Sequence, residues 1–329
     1  MSVLVGDIGG TKTSLAVAEA GEGGDRIGLT LERRYASAEF VSLADIVERF
    51  VEETGADCTL GSFAVAGPVV DDRSKTTNLP WELDARALAE RLGFRRARLL
   101  NDLEAVAWGV AALDDGDLAT LQVGEAENDL GVGNACVVAA GTGLGEAGLY
   151  WDGSRHHPFA TEGGHTDFAP TDEREFALLN HLQKRFGRVS WERVVSGMGI
   201  GNLYLFLSQW HRAEHPAAVD QALSADGDLA AAVAVSAAAG CPVCAETMDL
   251  FALLYGREAG NMALKHMALG GAYLGGGIAP KNLDLLRRGG FMQGFLDKGR
   301  MRALMQRMPV RVILEQRTPL LGAARFALS

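Results

Sequence analysis

The sequence contains two copies of one pattern, in which an apolar run, a corner rich in glycine and threonine, and a returning apolar run follow one another. The first copy covers residues 3–17, and its corner is Gly9-Gly10-Thr11-Lys12. The second covers residues 135–150, and its corner is Gly141-Thr142-Gly143-Leu144-Gly145. Each copy predicts a strand, a tight turn and a second strand. Because the corners stand in corresponding contexts, they suggest duplicated halves that each offer a turn to one ligand.

The residues of the first corner suit phosphate and a hydrated metal ion. Gly9 and Gly10 allow a positive φ and leave room for a ligand beside the main chain. Backbone N–H groups, Thr11 and Lys12 suit phosphate oxygens, and Asp7 suits the metal ion. The corner is not a P-loop, because threonine rather than glycine precedes Lys12 and the next residues alternate like a strand. A lone glycine turn is more often an ordinary hairpin.

A third glycine corner, at 275–277, follows an apolar run and a helical stretch at 250–267. Taken singly, each corner is more often a plain tight turn. Three corners after apolar runs point instead to a nucleotide in a cleft between two α/β domains. Elsewhere, the apolar spacing predicts helices at 43–53, 84–92, 103–110 and from about 318, and strands at 27–35, 58–66 and 98–100. Residues 21–25 predict a turn, and residues 125–134 predict a loop or hinge.

Polar residues that could bind a ligand or take part in catalysis follow the predicted strand at 98–100, and others lie in a later loop. Asn101 and Asp102 stand between that strand and a helix, the usual place for a site at the edge of an α/β sheet. Asp102 could equally be a helix N-cap. Glu162, His165 and Asp167 surround two glycines and could bind either a metal ion or sugar hydroxyls. Glu192 follows, with the alternative that it is a solvated or cap-proximal acid near the start of a helix.

Composition narrows the class of protein. The 329 residues allow one large domain or two ordinary ones, and the net charge of -11 argues against non-specific nucleic-acid binding. The N-terminus lacks a signal-peptide pattern, and the apolar tract at 229–239 is too short to span a bilayer. We therefore expect no membrane partner and a cytoplasmic location. Cys241 and Cys244 have zinc-like spacing but no second ligand pair nearby, so we expect free thiols at a loop-to-helix junction.

Together these motifs resemble the bacterial glucokinases of the hexokinase and actin-like ATPase superfamily, over nearly the whole chain. The matching motifs, in order, are Gly6-Asp7-Ile8-Gly9-Gly10-Thr11, Asn101-Asp102, Gly141-Thr142-Gly143-Leu144-Gly145, Glu162-Gly163-Gly164-His165, Glu192-Arg193-Val194 and Gly275-Gly276-Gly277-Ile278. The resemblance implies a two-lobed actin-like ATPase (ribonuclease H-like) α/β fold with a cleft between a small and a large domain. It also implies ATP-dependent phosphorylation of D-glucose with Mg²⁺, and a homodimer.

The resemblance assigns roles to individual residues. Asp102 becomes the general base for the sugar 6-hydroxyl, and Asp7 holds magnesium through water. The implied glucose ligands are Asn101, Asp102, Glu162, His165 and Glu192. The implied nucleotide residues are Asp7, Gly9, Gly10, Thr11, Lys12, Gly141, Thr142, Gly143, Gly276 and Gly277.

Two departures accompany the resemblance. Lys12 stands where close relatives often carry asparagine, so the first corner looks more like that of the ROK (repressor, open reading frame, kinase) sugar kinases. The clustered zinc cysteines expected of that group are absent from the sequence. We expect the small domain to cover 1–113 plus 318–329 and the large domain 114–317. The alternatives are a kinase for another hexose or amino sugar, such as mannose, fructose or glucosamine, and a non-catalytic ATP or sugar sensor.

Overall fold

The computed structural model describes residues 2–21, 27–76, 79–125, 132–225 and 227–329. Most of the predicted turn at 21–25 and of the predicted loop at 125–134 lies outside the described residues. The chain forms two compact units. The first contains Met1–Leu118, His157–Ala160 and Glu315–Ser329, and the second contains Ala119–His156 and Thr161–Leu314. The domain division predicted from the sequence, at 113 and 318, stays a prediction.

The strands and helices follow one another along the chain. The strands are β1 (Ser2–Ile8), β2 (Lys12–Ala20), β3 (Ile27–Ala36), β4 (Leu60–Val65), β5 (Arg73–Lys75), β6 (Glu82–Asp84), β7 (Arg96–Asn101), β8 (Leu118–Gln122), β9 (Ala135–Ala140), β10 (Leu144–Trp151), β11 (His156–Thr161), β12 (Gly271–Gly275) and β13 (Val310–Ile313). The helices are α1 (Leu43–Thr54), α2 (Ala85–Leu92), α3 (Asp102–Val110), α4 (Glu173–Phe186), α5 (Gly197–His211), α6 (Ala217–Ser224), α7 (Leu229–Ala238), α8 (Pro242–His266), α9 (Ile278–Lys281), α10 (Leu283–Arg287), α11 (Gly290–Leu296), α12 (Arg302–Arg307) and α13 (Thr318–Leu328).

The sheet of the first unit has the strand order β3-β2-β1-β4-β7. β1 pairs antiparallel with β2 and parallel with β4, and β4 pairs parallel with β7. Alternate side chains of β1 enter two different cores, as a sheet covered on both faces requires. Leu4 and Ile8 pack with the apolar faces of α1 and α2, whereas Val3 and Val5 pack with α3 and α13.

Two glycines allow α13 to lie directly against α3. A Cβ atom on Gly322 would overlap the carbonyl oxygen of Ala105, and one on Gly109 would overlap that of Thr318. The absence of both side chains therefore permits the close approach of the two backbones. This contact fixes the helix that begins at Asp102, and the predicted final helix is confirmed from Thr318.

The sheet of the second unit has the strand order β11-β10-β9-β12-β13-β8. β9 pairs antiparallel with β10 and parallel with β12, and β12 pairs parallel with β13. The order β10-β9-β12-β13 thus repeats the order β2-β1-β4-β7 of the first unit. The prediction of duplicated strand-corner-strand halves is confirmed. The buried helix α8 is attached to the central strand, because Tyr255 Oη donates to the Val138 carbonyl oxygen at 2.9 Å.

The predicted elements are present, and some of their ends differ by one or two residues from the prediction. The strand predicted at 58–66 is shorter, since β4 covers Leu60–Val65. Asp84 caps α2 through Arg86 N and Ala87 N instead of starting it. Cys241 is the N-cap residue of α8, Pro242 is its first residue, and Cys241 and Cys244 are both free thiols. In the described ranges, no single helix is long and apolar enough to cross a membrane, although the bent pair α7 and α8 together pass that test.

Candidate active site

The first corner leads from the end of β1 into β2 and is held by a residue from further along the chain. Ser37, which is fully buried, donates from Oγ to the Gly9 carbonyl at 2.9 Å and from its backbone N–H to the Thr11 carbonyl at 3.1 Å. The Gly9 N–H donates to the Lys12 carbonyl at 2.9 Å. The side chains of Thr11 and Lys12 are exposed. The corner therefore presents polar groups on a fixed backbone.

The expected reason for glycine at position 9 is wrong in one respect. Gly9 does not take a positive φ; instead, a Cβ atom there would lie 3.0 Å from the Lys12 carbonyl oxygen. The glycine is therefore required by the close approach of two backbone segments rather than by a left-handed conformation. The sequence also gave no signal for Ser37, because its role depends on pairing between β2 and β3.

Asp7 lies on β1 next to this corner. Burial raises the pKa of its carboxyl to about 6, and the Arg34 guanidinium acts in the opposite direction. A buried carboxyl of this kind gains most from a cation, because a nearby positive charge offsets the loss of solvation. The chemistry of Asp7 thus fits the water-mediated magnesium site expected of it.

Asn101 and Asp102 lie where β7 passes into α3, as predicted, but their local roles differ from the expectation. The Asn101 Oδ1 atom caps the helix by accepting from Leu103 N at 2.9 Å and from Glu104 N at 3.2 Å. The alternative that Asp102 is the N-cap is wrong: Asp102 is the first helical residue, and its Oδ1 accepts from Leu103 N at 2.9 Å. Asn101 Nδ2 donates to the Gly67 carbonyl at 3.0 Å, which leaves one amide hydrogen for a ligand.

The second corner lies in the second unit and is held by the segment that follows α4. The Gly141 N–H donates to the Gly143 carbonyl at 2.9 Å, and the Gly197 N–H donates to the Gly141 carbonyl at 2.8 Å. Thr142 is exposed at the tip. The Leu144 N–H, directly after the corner, donates to Glu192 Oε2 at 3.1 Å. Glu192 lies in the first turn of a short 3-10 helix, Trp191–Arg193, so the alternative placed it correctly near a helix start. Its side chain is only 20% exposed and supports this corner, so it is not a solvated acid.

The structure brings Glu162, His165 and Glu192 together. His165 Nε2 lies 3.9 Å from Glu162 Oε2, and His165 Nδ1 lies 4.0 Å from Glu192 Oε1. These separations exceed hydrogen-bond length, so hydroxyl groups of a ligand could bridge the three side chains. Asp167 is not part of this set, because it pairs with Arg188 at 2.7 Å. Within the described residues, no group of three or more His, Cys, Asp and Glu side chains could hold a metal ion.

The loop that carries Glu162 and His165 lies against β10. Thr161 Oγ1 donates to the Glu146 carbonyl at 3.0 Å and accepts from Gly163 N at 3.2 Å. A Cβ atom on Gly164 would overlap the Leu144 carbonyl oxygen. The loop glycines are thus needed for close packing on the strand. The strand that emerges from the second corner therefore also supports the sugar loop.

The third corner lies beside the second. Gly276 has a φ of 76°, and a Cβ atom there would overlap the carbonyl oxygen of Ala140, the residue before Gly141. Gly277 is exposed, and among the described residues none other than its chain neighbours has an atom within 4 Å of the position that a Cβ atom would take. The two corners therefore form one continuous glycine-lined surface at the ends of β9 and β12, on which a nucleotide could lie.

Comparison with known proteins identifies the family. The glucokinase family model matches residues 4–329. A glucokinase from Synechocystis sp. is 41% identical over 98% of this chain and 97% of its own length. The crystal structure of a glucokinase from an Antarctic psychrotroph is 29% identical, covers 99% of this chain and 98% of its own, and superposes with a TM-score of 0.85.

A more distant structure shares the fold. A ROK family glucokinase from Streptomyces griseus, crystallised with glucose and AMPPNP, is 22% identical, covers 100% of this chain and 99% of its own, and has a TM-score of 0.67. The predicted α/β actin-like ATPase fold is confirmed. From the full-length family match and the 41% identity, the chain belongs to the glucokinase family.

Proposed function

We propose that this protein transfers the γ-phosphoryl group of ATP to the 6-hydroxyl of D-glucose, giving glucose 6-phosphate and ADP. The observation that carries the proposal is the position of Glu192. One of its carboxylate oxygens accepts from Leu144 N, directly after the second glycine corner, and the other faces His165. The candidate sugar ligands and a candidate phosphate corner are therefore joined through a single side chain.

The sugar-binding role rests on the chemistry of the three grouped side chains. The carboxylates of Glu162 and Glu192 can each accept hydrogen bonds from two hydroxyl groups, and His165 between them can donate or accept. Asn101 adds the second hydrogen of its amide group, since the first is donated to the Gly67 carbonyl and helix capping uses only the amide oxygen. An analogue that lacks a hydroxyl leaves such groups unpaired, which makes discrimination between sugars strong.

Asp102 is the general base in this proposal. Its carboxylate accepts the proton of the 6-hydroxyl as that oxygen bonds to the γ-phosphorus and the bond from phosphorus to the ADP oxygen breaks. Phosphoryl transfer needs positioning and charge neutralisation more than covalent help from the protein. Asp102 is held for this task because it begins α3, which packs closely against α13.

The nucleotide is held by the three corners. The backbone N–H groups of Gly10 and Gly143, the hydroxyls of Thr11 and Thr142, and the ammonium of Lys12 would bind phosphate oxygens. Gly9 and Gly141, whose N–H groups donate within the corners, would leave room for the phosphates beside the main chain. Gly276 and Gly277 would lie against the adenosine. Asp7 would hold Mg²⁺ through water, and Mg²⁺ supplies charge neutralisation at the phosphates. A homodimer and a cytoplasmic location remain proposals, for which light scattering and cell fractionation are the tests.

An ADP-release assay with a panel of sugars tests the proposed function. Glucose, mannose, fructose, glucosamine and N-acetylglucosamine are each supplied with ATP and Mg²⁺, and the phosphorylated product is identified by mass spectrometry. We expect the highest kcat/KM with glucose. A higher value with another sugar would reassign the substrate, and ADP release that no sugar increases would indicate a sensor.

A further inference from the structure

Two buried glutamates in the second unit have no role in the proposed reaction. Glu146 lies on β10 and Glu258 on α8, and both are 0% exposed. In the part of the chain that the structure describes, Glu146 Oε1, Glu146 Oε2 and Glu258 Oε1 have no hydrogen-bond donor. Only Glu258 Oε2 has a donor, Asn261 Nδ2 at 2.9 Å, among those residues. Two ionised carboxylates in such a place would be strongly unfavourable.

A proton shared by the two carboxyl groups would remove one of the two buried charges and supply a hydrogen-bond donor. The groups lie close enough to hydrogen bond with each other once one of them is protonated. Burial, and then the negative charge of Glu258, raise the pKa of Glu146 to about 9. Burial also raises the pKa of Glu258, although Asn261 acts against this effect. Near neutral pH Glu146 is therefore protonated, and the pair carries at most one negative charge rather than two.

The other titratable groups around the pair do not supply the missing donor. Lys265 on α8 lowers the pKa of both glutamates, and Lys298, after α11, lowers that of Glu258. Lys298 Nζ already donates to the Arg257 carbonyl at 3.0 Å. Cys136 on β9 and Tyr255 on α8 stay neutral because burial raises their pKa values, and the Tyr255 hydroxyl is used by Val138.

The pair lies directly beneath the candidate sugar loop. A Cβ atom on Gly163 would overlap Glu146 Oε2, so the carboxyl group is in contact with the loop backbone. The Glu146 carbonyl accepts from Thr161 Oγ1 at 3.0 Å, and Thr161 Oγ1 accepts from Gly163 N at 3.2 Å. Both the main chain and the side chain of Glu146 thus support the residue between Glu162 and His165.

We propose that Glu146 and Glu258 share one proton and that protonated Glu146 positions the loop bearing Glu162 and His165 for sugar binding. When the proton is lost, repulsion between two adjacent buried charges displaces Glu146, and the loop backbone in contact with it moves. Glu146 is then a positioning residue that makes glucose affinity, but not ATP affinity, fall in alkaline solution. The inference rests on the proposed function.

The test is the pH dependence of the two Michaelis constants between pH 7 and 9.5. We compare the wild type with Glu146→Gln and with the exposed control Glu173→Gln. In the wild type and the control, the glucose KM should rise about tenfold over this range, while the ATP KM changes by less than about twofold. In Glu146→Gln, which cannot ionise, the rise in glucose KM should disappear. The same alkaline rise in all three proteins would overturn the proposal.

A second variant covers the case in which Glu146→Gln does not fold. Glu258→Gln removes the second charge and supplies an amide donor to Glu146, so it too should abolish the alkaline rise, and a retained rise would overturn the proposal. A glucose KM in the wild type that depends on K⁺ or Na⁺ at pH 7 would show a bound cation in place of the proton. If no protein turns over any sugar, the proposed function fails, and calorimetric glucose binding at pH 7 and 9.5 tests this inference alone.

Discussion

Replacing Glu192 with alanine should weaken the binding of both substrates, whereas replacing it with glutamine should weaken that of glucose alone. The distinction follows from the two oxygens of this side chain. Oε2 accepts from Leu144 N at 3.1 Å, and Oε1 lies 4.0 Å from His165 Nδ1. Glutamine retains a carbonyl oxygen that can accept from Leu144 N but places an amide group toward His165. Alanine removes both interactions.

The expected magnitude comes from the loss of a hydrogen bond to a charged group, about 1.5 to 3 kcal/mol. The side chain of Glu192 is 20% exposed, so the lower part of this range applies to the contact with Leu144. The ATP KM of Glu192→Ala should therefore rise about tenfold. Its glucose KM should rise about a hundredfold, because the carboxylate also loses its contacts with the sugar.

Steady-state kinetics with each substrate varied in turn measures both constants. Glu162→Gln is the matched control, since its carboxylate also faces His165 but is 64% exposed and, among the residues that the structure describes, makes no hydrogen bond to the second corner. That control should raise the glucose KM and leave the ATP KM within about twofold of wild type. An unchanged ATP KM in Glu192→Ala would refute the claim that Glu192 supports the phosphate corner.

Three further predictions follow from backbone packing and from the buried acid. Gly276→Ala should raise the ATP KM at least about tenfold with little effect on the glucose KM, since the residue has a φ of 76° and its Cβ would overlap Ala140 O; equal effects on both constants would contradict this. Gly322→Ala should lower the free energy of unfolding in urea by about 1 to 3 kcal/mol, because α13 must move away from Ala105, and an unchanged midpoint would contradict it. The pKa of Glu146 is about 9 in the folded protein and ordinarily 4.5, so stability present below pH 4.5 is lost as the pH rises toward 9. Between pH 5 and 8 the free energy of unfolding should therefore fall in both proteins, but by at least about 2 kcal/mol less in Glu146→Gln than in the wild type. An equal fall in the two proteins would exclude this linkage.

The sequence predicted those parts of the fold that have local causes. The two strand-corner-strand units, the helix at Leu43–Thr54 and the Cys241-Pro242 helix start all follow from alternation, helical spacing and capping chemistry. The residues of the glycine corners and the Asn101-Asp102 pair could be named because they follow apolar runs, whereas Glu162, His165 and Glu192 were named from a polar stretch and from the family resemblance. The local sequence of each stretch is thus enough to predict most of its secondary structure.

The contacts that hold the site depend on residues that are distant in the chain. Ser37 supports the first corner, and Glu192 supports the second from 48 residues away. The pairing of Glu146 with Glu258 likewise requires β10 and α8 to be packed together. No local pattern marks Ser37, Glu146 or Glu258, and the motif that marked Glu192 gave no sign of its contact with the second corner, since an isolated serine or glutamate is more often a surface residue.

Adjacent residues of the same kind limited one local prediction. Asn101 and Asp102 are both good N-cap residues, so their order alone does not decide which one caps α3. The structure gives the capping role to Asn101 through two backbone N–H groups, which places Asp102 one residue inside the helix. That assignment makes the proposed roles of the two side chains compatible with the fold.

The most direct test of the central claim is the turnover of Asp102→Asn measured together with its glucose binding. Asp115→Asn, an exposed residue of the same unit, is the control and should retain wild-type kcat. If Asp102 is the base, Asp102→Asn should bind glucose within about tenfold of wild type in calorimetry, while its kcat falls at least about a hundredfold. A kcat near that of the wild type, with the fold and glucose binding intact, would contradict the proposed mechanism.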